Sequence, residues 1–274
     1  MEENPLRLLI LGAHPDDAEY HAGGLATIYR ESGHVVKMVA ACDGAAGHHA
    51  LKPDQLAAIR RAEADAGAAV IGATAEVWGY PDGALQPTLE LRGRVVRAIR
   101  SFQPDLVLTH RVYDYHPDHR AVGQAVQDAS YLVTVPLVEP EVPALRRDPV
   151  VACLPDAFTR PYPLAGDVAI DVTDRLDTIV RMLACHRSQV FEWLPWLAGV
   201  LDQVPADDAQ RLAWLRDWYG AIVRPRADRY RTELVAAYGE ERGRQIAFAE
   251  VFEISQYAAP LDEAARRRLF WFLP

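Results

Sequence analysis

The chain has 274 residues, half of them hydrophobic and 24% charged, with a net charge of −9; this composition suits a soluble globular protein with one large α/β domain or two small ones. The acidic balance argues against a nucleic-acid binder, which carries a basic surface. Three cysteines, Cys42, Cys153 and Cys185, lack C-x-x-C spacing, which excludes a disulfide framework or a cysteine zinc site and fits a reducing, cytoplasmic setting.

The first apolar run, "LRLLILGA" at residues 6–13, reads as a strand covered on both faces. It is too short to span a membrane and lacks the basic start and small-residue cleavage pattern of a signal peptide. Residues 18–33 form a helix candidate stopped by Gly33. "HVVKMVAAC" is a second strand, and residues 54–69 a second helix with Pro53 at its start. "AEVWGY" is a third strand, "LELRGRVVRAIRSF" a third helix and "PDLVLTH" a fourth strand. A fourth helix covers residues 120–133. Beyond residue 135 a proline-rich loop leads to strand candidates "VVACLPDAF" and "DVAIDV". A helix from Thr173, a good N-cap residue, follows them. The tail from about Trp193 is helical and aromatic, with one strand-like stretch, "AEVFEIS".

Strand and helix alternating in this way predict an α/β, Rossmann-like, mostly parallel sheet flanked by helices, with strand order 3-2-1-4-5. The G-x-G-x-x-G dinucleotide fingerprint is missing after the first strand. The expectation is one domain over residues 1–274, with a core at 1–190. Residues 191–274 form a C-terminal extension serving as pocket wall, lid or interface.

Two motifs stand at strand ends: "HPDD", residues 14–17, and "HPDH", residues 116–119. A single His-Pro-Asp reads as a helix N-cap. In a 3-2-1-4-5 sheet, however, strands 1 and 4 are neighbours whose connections leave on opposite faces, opening a crevice beyond their carboxyl ends. Both motifs then face that crevice. His14, Asp16, Asp17, His116, Asp118 and His119 are the candidates. Two histidines and one carboxylate form a three-ligand site with a position left open for water, as in catalytic zinc centres. A spare carboxylate can act as general base, and a spare histidine can donate to an oxyanion. Residue chemistry alone leaves open whether His116 or His119 is the ligand. It also leaves open a non-haem iron centre with two histidines and one carboxylate, or a non-enzymatic sugar-binding module on the same scaffold.

"GAHPDDAEYHAGG" with the later "HPDH" resembles the PIG-L (LmbE-like) family of metal-dependent N-deacetylases. "IRRAEADAGAAVIGA", "WGYPDGAL" and the helix ending in "HRSQ" extend the likeness over roughly residues 5–190. The resemblance implies removal of an acetyl group from a GlcNAc-type amino sugar or conjugate, with Zn2+, or Fe2+ or Co2+ in its place. It implies His14, Asp17 and His119 as metal ligands, Asp16 as general base, His116 as stabiliser of the tetrahedral intermediate and Asp118 as the carboxylate orienting His116. Arg60, Asp82, Tyr115 and His186 are candidate substrate contacts, with Tyr113 a second tyrosine near the motif. The implied reaction is direct hydrolysis without a covalent intermediate. The expected partner is a small amino-sugar substrate, with no nucleic acid and no membrane, and relatives that often assemble as hexamers or dimers make a homo-oligomer an option.

Among the other histidines, His110 ends the fourth strand and reads as a partner of a ligand. His21 lies one turn after Asp17, and His48 and His49 sit in the loop after strand 2. Trp193, Trp196, Trp214 and Trp218 read as helix packing or an interface before sugar stacking.

Overall fold

The computed structural model describes residues 4–274. Strand β1 (Arg7–Gly12) is central because every side chain from Leu8 to Leu11 is fully buried. Alternate residues point to opposite faces of a strand. Leu8 and Ile10 therefore enter one core with helix α1 (Asp17–Glu31), while Leu9 and Leu11 enter a second core on the other face. Strand β2 (Val35–Cys42) and helix α2 (Pro53–Ala69) lead to β3 (Thr74–Tyr80), and helix α3 (Leu89–Phe102) leads to β4 (Leu106–Thr109). Strands β1, β2, β3 and β4 pair in parallel, with Ile10 flanked by Met38 and Leu108. Helix α4 (Pro117–Ala129) begins earlier than the apolar periodicity suggests, because Pro117 is pre-set for the first helical position and His116 caps it.

The second half extends the sheet. Strand β5 (Val150–Cys153) is parallel to β4. Strand β6 (Val168–Asp171) precedes helix α5 (Leu176–Leu183), and a π-helical turn at Gln189–Trp193 runs into the short α6 (Leu194–Leu197). The long α7 (Asp208–Arg229), then α8 (Arg231–Tyr238) and α9 (Glu240–Gln245), lead to β7 (Ala249–Ile254); α10 (Glu263–Leu269) follows. The full order is β3-β2-β1-β4-β5-β7-β6, so the expected 3-2-1-4-5 run is present and β7 enters antiparallel between β5 and β6. No helix among the described residues is long and apolar enough to cross a membrane.

One expectation is corrected. Thr173 does not cap a helix: it opens a 3-10 turn, and its hydroxyl accepts the N–H groups of Ala247 and Phe248, both at 3.3 Å. The long-range partner wins because β7 needs its entry tied down. Glu250 of β7 plays a similar role. Helix α1 breaks at Ala22 (φ −140°), and the Glu250 carboxylate accepts the freed N–H groups of Gly24 and Leu25 at 2.7 and 2.8 Å. Position 24 must be glycine, since a Cβ there would stand 2.4 Å from a Val172 methyl.

Candidate metal centre

The loops leaving β1 and β4 meet at the carboxyl edge of the sheet, as the strand order requires. His14 Nδ1 and His119 Nε2 stand 3.2 Å apart. Asp17 Oδ1 is 3.5 Å from His119 Nε2, and Asp17 Oδ2 is 3.7 Å from His14 Nδ1. Tetrahedral zinc with bonds of about 2.0–2.1 Å to nitrogen and oxygen needs donors roughly 3.3 Å apart; the two rings and the Asp17 carboxylate are near that spacing, the carboxylate meeting the rings through different oxygens. They belong to overlapping groups that can hold a metal: His14, His116 and His119; His14, Asp82, His116 and Asp118; and Asp17, His110 and His119.

The remaining atoms of the three side chains are already occupied, which fixes where their lone pairs point. His14 Nε2 faces Asp82 Oδ1 at 3.1 Å and Asp118 Oδ2 at 3.2 Å. Nε2 therefore carries a proton, and Nδ1 looks inward. His119 Nδ1 faces Asp114 Oδ1 at 3.1 Å, leaving Nε2 inward. Asp17 Oδ2 accepts the N–H groups of Ala13 and His14, at 2.8 and 2.7 Å, and His110 Nε2 at 2.9 Å. A histidine oriented by a carboxylate is the usual support of a metal ligand. Gly12 makes room for this arrangement, because a Cβ there would lie 2.7 Å from Asp17 Cβ.

The electrostatics follow from these contacts. Burial disfavours a charged His14, but Asp118 and Asp82 outweigh it and raise its pKa to about 10. Burial works against the Asp17 charge, yet His119 and His110 hold its carboxyl well below the usual range. Burial likewise opposes the Asp118 charge, while hydrogen bonds from His14, Gly83 and Leu85 bring it down to about 2. Burial lowers His110, which stays neutral and donates.

Asp16 stands apart from this set. Its backbone has φ 114°, a left-handed conformation that a non-glycine residue adopts only when its surroundings enforce it. The enforcing group is Arg60, which donates to the Pro15 carbonyl and lies 3.4 Å from the Asp16 carboxylate. Burial raises the Asp16 pKa, and Arg60 and His186 oppose that rise. Asp16 keeps 19% of its side-chain surface exposed, against 8% for Asp17.

Several residues to which the resemblance gives a role make other contacts here. Asp118 does not orient His116; its carboxylate is fully buried on His14, Gly83 N–H (2.7 Å) and Leu85 N–H (3.0 Å). Arg60 is 2% exposed and braces Asp16 from behind. His186 is fully buried, 3.2 Å from Glu19, beneath the same residue. Glu63 beside it accepts both Ser188 N–H (2.7 Å) and Ser188 Oγ–H (2.6 Å), which joins α2 to the His186–Gln189 turn. Asp82 is spent on His14 and on Ala46 N–H at 3.0 Å. Arg60 and His186 are buried, and Asp82 is half-buried.

Tyr115 lines the cavity beside His119, and His116 is half-buried next to it. His116 Nδ1 accepts Asp118 N–H at 3.2 Å, so its ring proton belongs on Nε2. Burial, with His14 and His119 nearby, lowers its pKa. Tyr115 is 70% exposed, its ring 5.4 Å from that of His119. Tyr113 lies further off, against Tyr162. A cavity of about 290 Å³ adjoins His119, walled by Tyr115, Phe158, Ile222, Val223 and Pro225. His21 lines it and donates to no ligand. His48 and His49 stack with Trp196 outside it. Sequence reasoning missed Asp114, although a carboxylate five residues before His119 was its visible signal. It also missed Glu19, which carries no signal until α1 meets His186; Glu63 stood in the stretch "IRRAEADAGAAVIGA" without an assigned partner.

Residues 9–130 match the family model described as PIG-L: GlcNAc-PI de-N-acetylase. The chain is similar to 4-oxalmesaconate hydratase of Pseudomonas putida, 25% identical over 68% of this chain and 74% of that protein. It is also similar to the probable N-acetyl-alpha-D-glucosaminyl L-malate deacetylase 2 of Bacillus anthracis, 30% identical over 49% of this chain and 62% of the other. Its fold resembles the crystal structure of GalB, the 4-carboxy-2-hydroxymuconate hydratase from Pseudomonas putida, with TM-score 0.72, 19% identity and coverage of 94% and 99%. Deacetylases are among its structural neighbours as well.

Proposed function

The chain belongs to the PIG-L (LmbE-like) family, and from that premise we propose that it is a zinc-dependent N-deacetylase acting on a GlcNAc-type amino sugar or conjugate. His14, Asp17 and His119 would hold the metal, which when bound lowers the pKa of a water toward about 7 and polarises a carbonyl oxygen. Asp16, raised by burial and held in place by Arg60, takes the proton of the attacking water. Neutral His116 donates from Nε2 to the oxygen that gains charge as the acetamide carbonyl is attacked. The proton on Asp16 passes to the departing nitrogen, so one water yields acetate and a free amine. Residues 1–190 form the catalytic core, and residues 191–274 wall the pocket.

The observation that carries this reading is the division of labour inside one motif. Asp17 is committed by three donors, whereas its neighbour Asp16 keeps an open edge. The test is Asp16→Ala: acetate release from N-acetylated amino sugars falls by about 10²–10⁴-fold while zinc content is unchanged. Full activity in that variant would refute the mechanism.

A second reading is favoured by the hydratase relative, which is 25% identical over 68% of this chain. The same base and donor can add water across a conjugated carbon–carbon double bond. Parallel assays on the metal-loaded enzyme separate the two: acetate release against loss of absorbance of a conjugated unsaturated acid.

A further inference from the structure

The cavity beside His119 is apolar on most of its walls, but α7 contributes two arginines to it, Arg226 and Arg229. The acidic residues of the same cavity are already engaged. Asp114 holds His119 at 3.1 Å. Asp156 is held by Arg111, through Nε at 2.6 Å and Nη2 at 3.2 Å, and by Phe158 N–H at 2.8 Å. Carboxylates near α7 are engaged too: Asp228 with Arg231 at 2.8 Å, and Glu250 with the broken turn of α1. Arg226 is half-buried, and its hydrogen bond is to the Ala249 carbonyl at a long 3.4 Å. Among the described residues no carboxylate forms an ion pair with Arg226 or Arg229.

A guanidinium drawn part-way out of water normally has an anionic partner, because losing hydration without one is costly. Glu250 is near enough for Arg226 to favour its charge but makes no ion pair with it, so a direct partner is left to whatever enters the cavity. We propose that Arg226, assisted by the more exposed Arg229, forms a subsite for an oxyanion of the substrate, a carboxylate or a phosphate. That group lies on the part of the substrate away from the bond attacked at the metal centre. The inference rests on the reading of His119 as part of the reaction centre, and it narrows the substrate class to negatively charged molecules. The planar fork of arginine suits two-point contact with such a group, which lysine cannot reproduce.

The test is calorimetric and does not depend on turnover. Succinate and succinamate each offer one carboxylate to the metal, and only succinate offers a second. Zinc-loaded protein binds succinate at least about tenfold more tightly than succinamate. That preference disappears in Arg226→Gln, is partly kept in Arg226→Lys and is weakened less by Arg229→Gln. Phosphonopropionate in place of succinate tells a phosphate-selective subsite from a carboxylate-selective one. Equal binding of all three probes by the unaltered protein, or a preference that survives Arg226→Gln, overturns the proposal. Failure of acetate release with the succinate preference intact would instead overturn only the deacetylase reading.

Discussion

The two halves of this molecule divide the work unequally. The half built from β1 to β4 and α1 to α4 holds every candidate donor, and each has its second atom tied: His14 to Asp82 and Asp118, His119 to Asp114, Asp17 to His110. The half from β5 onward adds no donor to that cluster. It supplies the apolar wall at Phe158 and Val223, the arginines of α7, and the buried Ser188 and His186 beneath Asp16. Reaction geometry is therefore specified by short loops on a rigid parallel edge, where donors must be placed within tenths of an ångström. What fits beside it depends on later, irregular elements. This agrees with a family match that ends at residue 130.

The contrast is broken most severely from the first half. His14→Ala or Asp17→Ala abolishes zinc binding and activity together, as metal analysis and the product assay will show, because a two-donor remnant cannot compete for the ion. Asp114→Asn keeps the shape of the support but removes its charge. It weakens zinc affinity by roughly 10–100-fold, measured by competition with a chelator, and leaves the melting temperature of the metal-free protein little changed. Glu63→Ala tests the joint between the halves. It strands the buried Ser188 N–H and hydroxyl, and costs about 1–3 kcal/mol of stability in a denaturant titration.

The smallest effect sharpens the comparison through pH. Burial pushes Glu250 up to about 7 from its ordinary 4.5, against the pull of the Gly24 and Leu25 N–H groups. A carboxyl whose pKa is higher in the folded chain binds its proton better there, so its stabilising contribution is full below 4.5 and is lost as the pH rises through about 7. Glu250→Gln removes that titration. Thermal melts across this window should then lose part of their downward slope, by a few degrees, while activity is retained.

Much of the frame was legible in the residues. An all-apolar run marked β1 as a strand covered on both faces, and the alternation of strands and helices marked the sheet as mostly parallel. The 3-2-1-4-5 order then brought residues 14–17 and 116–119 together without any coordinate. His110 at the end of β4 could be read as a ligand's partner for the same reason. The contacts of other candidates were not legible there, and for one cause. Arg60, Asp82 and His186 are chemically suited to a sugar, and residue type cannot distinguish a side chain facing a crevice from one bracing it from behind. Asp118 belongs to His14 rather than His116, and Thr173 to β7 rather than its own helix, because each satisfies a partner more than seventy residues away.

What the sequence determined by itself is the set of strands, the order of the first five and the edge at which the polar motifs gather. Those follow from apolar periodicity and chain connectivity, which are local properties. Which carboxylate turns which imidazole, and which arginine is left without a partner, was decided only in the tertiary structure. Hydrogen bonds are directional and short-ranged, so their pairing depends on atoms that distant segments bring within about 3 Å.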